Sequence, residues 1–387
     1  MPSRLEQTLQ DGIERGLHPG VQACVSLQGE TVVDLALGAA RQTAEHAAPV
    51  VPMTTQTACL WMSSGKPATA VAVAQLVEQG DVDLRDPVAE YVEGFEAHGK
   101  DPILIEHLLT HTAGLRAAPF RYPDQPWPRI IEVIAAARPE PRWTPGERAG
   151  YHVQTAWFLL GEVVQSAAGM PIGQYLRGRV FEPVGMHDAH VGMPEALHDD
   201  WLAQGRLMAM HDTADAAHDK RDDPARLTTK PWLTAPRPGG NLVASARSMA
   251  RFYEALLDAV HGPAGALHHA TLLQPETVRH WTARRRTDMI DQTFRVPMDW
   301  GLGFMVNNRR HAEHDPMRMP YNFGPHASDD AFGHGGHQSS VAFADPAHGL
   351  AVAIVFNGMP GESAHRTRMY QALADVYQDL GLAREAA

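Results

Sequence analysis

The chain has 387 residues, 44% hydrophobic and 20% charged, the balance of a soluble globular protein with room for one large domain or two ordinary ones. Its net charge of −12, from 33 basic and 45 acidic residues with no basic block, argues against nucleic acid or an anionic membrane surface as partner. No apolar stretch is long enough to span a bilayer, and Met1-Pro2-Ser3-Arg4-Leu5-Glu6 lacks the apolar core of a signal peptide. Two cysteines, Cys24 and Cys59, are too few for a disulfide framework. Together these features point to a cytoplasmic protein with reduced, buried thiols.

Ser3-Arg4-Leu5-Glu6 forms a capping box, and Leu5, Leu9, Ile13 and Leu17 recur at helical spacing. The chain therefore opens with an amphipathic helix ending near residues 16–19. Val- and Leu-rich runs at 21–27 and 31–37, split by Gln28-Gly29-Glu30, predict a β-hairpin. Residues 41–51 form a polar connection. A helix follows Ser63, with Pro67 tolerated in its first turn and Gly80 where it should stop. A short segment runs from Asp83 to Tyr91. Helices are predicted over 105–110, 155–166, 172–180 and 245–257, with Pro- and Asp-rich loops between them. Residues 187–226, polar and His-rich, are the least regular stretch. Residues 300–306 restart a strand pattern, which 341–344 and 350–356 continue through the turn at 345–349. Met369, Leu373, Val376 and Leu380 mark a final amphipathic helix. The fold class is thus α/β plus all-α. An antiparallel sheet is built from both chain ends, with the terminal helices on one face and a large helical domain inserted. The boundaries are 1–62 and 298–387 for the sheet domain and 63–297 for the helical one, with the site in the cleft between them.

Trp61-Met62-Ser63-Ser64-Gly65-Lys66 holds the first candidate chemistry. Ser63 and Lys66, three residues apart, share one face of a helix. A serine hydroxyl is a poor nucleophile until a neighbour takes its proton. Lysine can do so only when neutral, so its pKa must fall from about 10.4 through burial or a nearby cation. A buried helix start inside a cleft supplies both conditions. Taken alone, the same pair also fits a solvated serine and lysine on a helix surface.

Downstream come Leu108-Leu109-Thr110-His111-Thr112-Ala113-Gly114-Leu115 and Trp143-Thr144-Pro145-Gly146 before Tyr151. Phe181-Glu182-Pro183-Val184-Gly185-Met186, Gly239-Gly240-Asn241-Leu242-Val243 and Phe332-Gly333-His334-Gly335-Gly336 follow in order. With Ser63-x-x-Lys66, this ordered set resembles the serine β-lactamase and penicillin-binding-protein superfamily. It is most similar to the class C-like branch that includes the family VIII carboxylesterases. The resemblance implies a β-lactamase/transpeptidase-like fold and no cofactor. It makes Ser63 the acylated nucleophile and Lys66 the general base or proton shuttle. Tyr151 matches the tyrosine of the Tyr-x-Asn motif and shares proton transfer, with Lys66 the candidate cation to favour its phenolate. His334-Gly335-Gly336 takes the place of Lys-Thr-Gly as a substrate-binding strand edge, where glycines let substrate approach the backbone. By the same resemblance, the backbone N–H groups of Ser63 and His337 would form the oxyanion hole.

One position departs from the pattern. Tyr151-His152-Val153 replaces Tyr-x-Asn, and valine cannot hydrogen-bond the lysine or an acylamido side chain. Gln154 is offset by one residue. This puts β-lactam and D-Ala-D-Ala cleavage in doubt and favours a small-molecule ester. The 22 histidines, His311, His314, His326, His334 and His337 among them, fit no metal-ligand motif. Residues 311–330 are expected to rim the pocket. The leading reading is a serine hydrolase working through a Ser63 acyl-enzyme on an ester. An alcohol or amine acceptor in place of water is the alternative, and a β-lactamase or DD-peptidase ranks below both. An inactive binding relative is disfavoured by the presence of Ser63, Lys66 and Tyr151 together.

Overall fold

β1 (Gly20–Leu27) and β2 (Glu30–Arg41) form the expected hairpin at the start of the sheet. The computed structural model describes residues 2–42, 50–214, 223–262, 271–312, 319–320 and 322–384. Most of the polar connection at 41–51, His314 and parts of the His-rich stretches therefore lie outside the described residues. β3 (Val51–Pro52), β8 (Met305–Val306), β9 (Phe332–Gly336), β10 (Ser340–Asp345) and β11 (Leu350–Phe356) complete a seven-stranded sheet. Its order is β3-β2-β1-β11-β10-β9-β8, antiparallel throughout. The two chain ends meet at its centre, where Val21 pairs with Phe356 and Leu27 with Leu350.

Alternation along the central strands divides two cores. Val21, Ala23, Val25, Leu350, Val352, Ile354 and Phe356 face α1 (Arg4–Glu14) and α11 (Glu362–Asp379), which contribute Leu5, Leu9, Met369, Leu373 and Val376. Asp379 ties these helices by accepting from the N–H of Leu5 at 3.0 Å. Cys24, Ala351, Ala353 and Val355 face the opposite core, where α9 (Ala246–His261) packs across β1, β10 and β11. Both faces are covered, so these strands read as continuous apolar runs. Cys24 and Cys59 are buried and unpaired.

α2 (Lys66–Gln79) runs through the second core, and residues 66–76 are all buried. A helix apolar on every side belongs inside a protein, and Gly80 ends it in the left-handed conformation (φ 80°). α5 (Thr155–Ala168) packs against it, and α3 (Ile105–Leu109) packs against α5. Short strands β4 (Cys59–Leu60), β5 (His190–Val191) and β7 (Leu242–Ala244) pair beside the start of α2, and β6 (His211–Asp212) pairs with β12 (Gly358–Met359). Among the described residues no helix is long and apolar enough to cross a membrane.

Three expectations change. The Pro-rich stretches read as loops contain α4 (Trp127–Ala135), α7 (Glu195–Ala203) and α8 (Lys230–Thr234), and α10 (Pro275–Thr282) forms in a stretch for which no element was expected. Each carries proline at its start: Pro126 and Pro128, Pro194, Pro231 and Pro275. A proline there loses no hydrogen bond and presets the backbone, so it marks an entry to a helix. The 172–180 helix divides into α6 (Ile172–Tyr175) and a wider turn over Leu176–Phe181. The 300–306 strand shrinks to β8, because a side chain at Gly301 would meet the Trp281 carbonyl at 2.3 Å and Gly303 takes φ +79°.

Candidate active site

Ser63 lies in a single 3₁₀ turn, Met62–Gly65, that runs directly into α2 at Lys66. Met62 enters this turn at φ 50°, a left-handed conformation that side-chain-bearing residues seldom adopt. The turn is clamped from two sides. Trp61 donates its N–H to the Leu242 carbonyl and its indole Nε1–H to that of Ala244, both at 2.9 Å. Ser340 donates to the Trp61 carbonyl at 2.8 Å, and Ser64 donates to that of His334 at 3.0 Å.

Lys66 is completely buried, and its Nζ has three oxygens around it: Ser63 Oγ at 3.0 Å, the Val153 carbonyl at 3.1 Å and the Gly239 carbonyl at 2.5 Å. Burial, with Arg237 as a neighbouring cation, holds its pKa well below the usual lysine value. A neutral amine has two N–H donors and one lone pair. The two carbonyls can only accept, so they take the N–H groups, and the lone pair is left for the Ser63 hydroxyl to donate into. Once protonated, the same three oxygens satisfy an ammonium without rearrangement. The lysine-holding task expected of an asparagine at 153 is met here by the Val153 backbone carbonyl, while the valine side chain, 44% exposed, lines the cleft.

Tyr151 is buried beside Ser63, with Lys66 Nζ 5.3 Å from its ring centre. Burial raises its pKa; a hydrogen bond with Ser63 and the charge of Arg237 oppose the rise, and Asp291 adds to it. The phenol is therefore protonated at neutral pH. The cation near it that acts against this is Arg237, where Lys66 was expected. Tyr151 is held by its backbone. Its N–H donates to Asp291 Oδ1 at 3.0 Å, which also receives Thr293 N–H at 2.9 Å and Phe294 N–H at 3.1 Å. Asp291 Oδ2 takes the Arg286 guanidinium at 2.9 Å, and both side chains are buried. Arg286 reaches on to the Thr110 carbonyl at 3.0 Å.

The His-Thr-Ala-Gly-Leu segment braces the same loop. His111, itself at φ 58°, accepts the Gly150 N–H on its carbonyl at 3.0 Å and the His152 N–H on Nδ1 at 3.1 Å. Its ring lies 4.8 Å from that of Tyr151 and 4.6 Å from that of Trp300. His152 Nε2 accepts from the Leu115 N–H at 2.9 Å.

His334 sits in β9 beyond the two residues that β8 pairs, so this end of the strand is an edge. Its Nδ1 donates to the Gly335 carbonyl at 2.6 Å, and burial, with Lys66 as a neighbour, pulls its pKa down to about 3. His334, Gly335 and His337 line a cleft of about 480 Å³ together with Ser63, Tyr151, Val153 and Phe294. Gly336 does not line it. A side chain there would meet Ser340 Oγ at 2.2 Å and the Trp61 carbonyl at 2.6 Å, so this glycine admits the Ser63 turn where substrate was expected. Gln154 does not reach Lys66 by any described hydrogen bond, and its buried Oε1 has no partner. His337 Nδ1 lies 3.0 Å from Glu362 of α11. Of the 311–330 stretch, Pro320 reaches the cleft. A larger depression of about 1010 Å³, walled by Ile172, Met193 and Lys230, holds none of these groups. Among the described residues Asp288, Asp299 and His311 have metal-ligand spacing, but Arg284 and Arg310 already neutralise Asp299.

Asp291, Arg286 and Arg237 fall in none of the motifs read from the sequence, and Tyr151 and Thr110, which Asp291 and Arg286 reach, lie far along the chain from them. Asn241 does lie in a recognisable motif. Its side chain accepts the Arg237 N–H at 2.9 Å and donates to the Ala235 carbonyl at 2.6 Å, folding the loop that presents the Gly239 carbonyl to Lys66.

The Beta-lactamase family profile matches residues 5–376. The chain is 27% identical over 362 residues to the esterase/beta-lactamase LipL of Mycobacterium tuberculosis, covering 87% of this chain and 77% of that protein. It superposes on a penicillin-binding protein homologue from Caulobacter crescentus with TM-score 0.78 and 26% identity, covering 97% of this chain and 96% of the other. A family VIII carboxylesterase shares the fold at TM-score 0.74 and 24% identity, with the same coverage of 97% and 96%. With the profile spanning nearly the whole length and the antiparallel sheet and helices arranged as in these structures, the chain belongs to the Beta-lactamase family.

Proposed function

We propose that this Beta-lactamase-family serine hydrolase cleaves a small-molecule carboxylic ester through an acyl-enzyme on Ser63. The observation that carries the reading is the completely buried Lys66 amine, its pKa held well below the usual lysine value, with two carbonyls placed to take its N–H groups and Ser63 Oγ at 3.0 Å. Ser63 Oγ attacks the ester carbonyl carbon as its proton passes to Lys66 Nζ. The N–H groups of Ser63 and His337 hold the oxyanion; losing one such donor typically costs roughly 10²–10³ in rate. The proton then moves from Lys66 through the Tyr151 phenol to the leaving alkoxide, and the alcohol departs. Water attacks the acyl carbon, gives its proton back along the same route, and releases the acid with Ser63 restored.

Three features support an ester over a β-lactam. Val153 offers no amide to an acylamido side chain. Val153, Phe294, Met305 and Pro320 give the cleft an apolar wall. The carboxylesterase of the same fold carries an esterase name, and LipL carries one beside a beta-lactamase name. We place the reaction in the cytoplasm, where the buried thiols of Cys24 and Cys59 stay reduced.

A panel of p-nitrophenyl acyl esters alongside a chromogenic cephalosporin tests the substrate class. Short-chain esters turn over and the cephalosporin stays closed. Cephalosporin opening with inert esters would overturn the reading. Alcohols and amines added to the same assay report acyl transfer directly, as acylated acceptor formed at the expense of free acid.

A further inference from the structure

The segment between β9 and β10 is a tight turn, closed by the Ser339 N–H on the Gly336 carbonyl at 3.1 Å. It carries His337, which lines the cleft, and it rests against the Ser63 turn, since a side chain on Gly336 would meet the Trp61 carbonyl at 2.6 Å. Its third residue, Gln338, takes φ 48°. Turns with a positive φ at that place ordinarily use glycine or asparagine. A larger side chain there is strained, and such strain persists only where the surroundings hold it.

Glycine would form this turn without strain, so turn geometry does not account for a glutamine. Its contacts do. Gln338 is buried, and both its side chain and its backbone are tied to α11. Its Oε1 accepts the N–H of Gly361, the residue that caps the start of α11, at 2.8 Å. Its carbonyl accepts from the Arg368 guanidinium at 2.9 Å, and the same nitrogen of Arg368 donates to the Gly358 carbonyl at 2.7 Å. One residue earlier, His337 Nδ1 lies 3.0 Å from Glu362 in the first turn of α11. The turn is thus fastened to a helix that the sheet core itself holds in place through Met369, Leu373 and Val376.

We propose that Gln338 is a positioning residue: by tethering the turn to α11 it fixes the backbone N–H of His337 where the oxyanion forms. This rests on the reading of the Ser63 and His337 N–H groups as the oxyanion hole. A donor of that kind has to be held to within about 0.5 Å of its productive place. Gln338 is not among the residues that line the cleft, so it acts through His337 and not on substrate. The strained backbone and the side-chain tether then have one explanation, because glycine would supply the conformation and lose the tether.

Steady-state kinetics on p-nitrophenyl butyrate and its thiono analogue, in which sulphur replaces the carbonyl oxygen, test this in wild type, Gln338→Gly and Gln338→Glu. Sulphur accepts hydrogen bonds weakly, so the thiono ester reports the reaction without strong oxyanion contacts, and wild type prefers the oxygen ester. In Gln338→Gly, kcat for the oxygen ester falls about tenfold with KM unchanged, part of the roughly 10²–10³ lost with a whole oxyanion donor. The thiono rate stays, so the ratio of the two kcat/KM values, which does not depend on the folded fraction, falls about tenfold as well. Gln338→Glu keeps an oxygen for the Gly361 N–H and keeps the wild-type ratio. An unchanged ratio in Gln338→Gly would overturn the proposal and leave Gln338 a turn residue that glycine replaces. Equal losses on both esters would overturn it too, and so would a Gln338→Glu ratio as low as that of Gln338→Gly. Failure of the oxyanion reading is separable, because wild type itself would then show no preference for the oxygen ester, and the proposal would fall with it.

Discussion

Ser63→Ala loses ester turnover by at least ~10⁴-fold while still binding substrate. The expectation follows from where Ser63 Oγ sits. Among the described residues it is the one hydroxyl hydrogen-bonded to the Lys66 amine, at 3.0 Å, and it shares a hydrogen bond with Tyr151. Ser64, the adjacent hydroxyl, cannot substitute for it. Its Oγ donates to the His334 carbonyl at 3.0 Å and lies 3.0 Å from Ser340 Oγ, spent on holding the turn. Residual rate in the variant measures what oxyanion stabilisation and binding contribute without a nucleophile. Steady-state kinetics on p-nitrophenyl esters check it, with KM near the wild-type value showing that the cleft is intact.

Lys66→Met lowers kcat/KM by about 10²–10⁴-fold, the range for removal of a general base, and changes the shape of the pH profile. The sign follows from which form works. Only the free amine accepts the Ser63 proton, so the wild-type rate rises with pH through the Lys66 pKa and then levels. Burial sets that midpoint well below the usual lysine value of 10.5. Tyr151 is shifted the opposite way by burial, so its phenol stays protonated past the ordinary tyrosine range and the plateau is broad. In Lys66→Met the acid limb disappears and the residual rate no longer follows that titration. A variant that kept the wild-type limb would show that another group titrates there.

Much of the fold was legible because its strongest signals are local. The runs in β1 and β11 are apolar on both faces, and the stripes of α1 and α11 repeat at helical spacing, so both chain ends read as sheet and cover. The helical stretches between the chain ends were harder for the same reason. Prolines at 126, 194, 231 and 275 look like breaks, yet each opens a helix. Residues 300–306 have strand composition, but Gly301 packs against a carbonyl and Gly303 turns the chain.

The candidate site divides in the same way. Ser63, Lys66, Tyr151 and His334 belong to short motifs whose order identifies them. What positions and tunes them does not. Asp291 holds Tyr151 across 140 residues of sequence separation. Gly239 and Val153 serve Lys66 through their carbonyls, which no side-chain pattern encodes. Val153 shows the consequence. Its side chain signals a lost contact to the lysine, while its backbone makes that contact.

Intact-protein mass spectrometry after fluorophosphonate treatment, followed by peptide mapping, tests the central claim most directly. Wild type gains one phosphonyl adduct, located on Ser63, and its ester turnover falls in step with labelling. Ser63→Ala gains none. An adduct on another residue, or full turnover in a completely labelled protein, would contradict the assignment of Ser63 as the nucleophile.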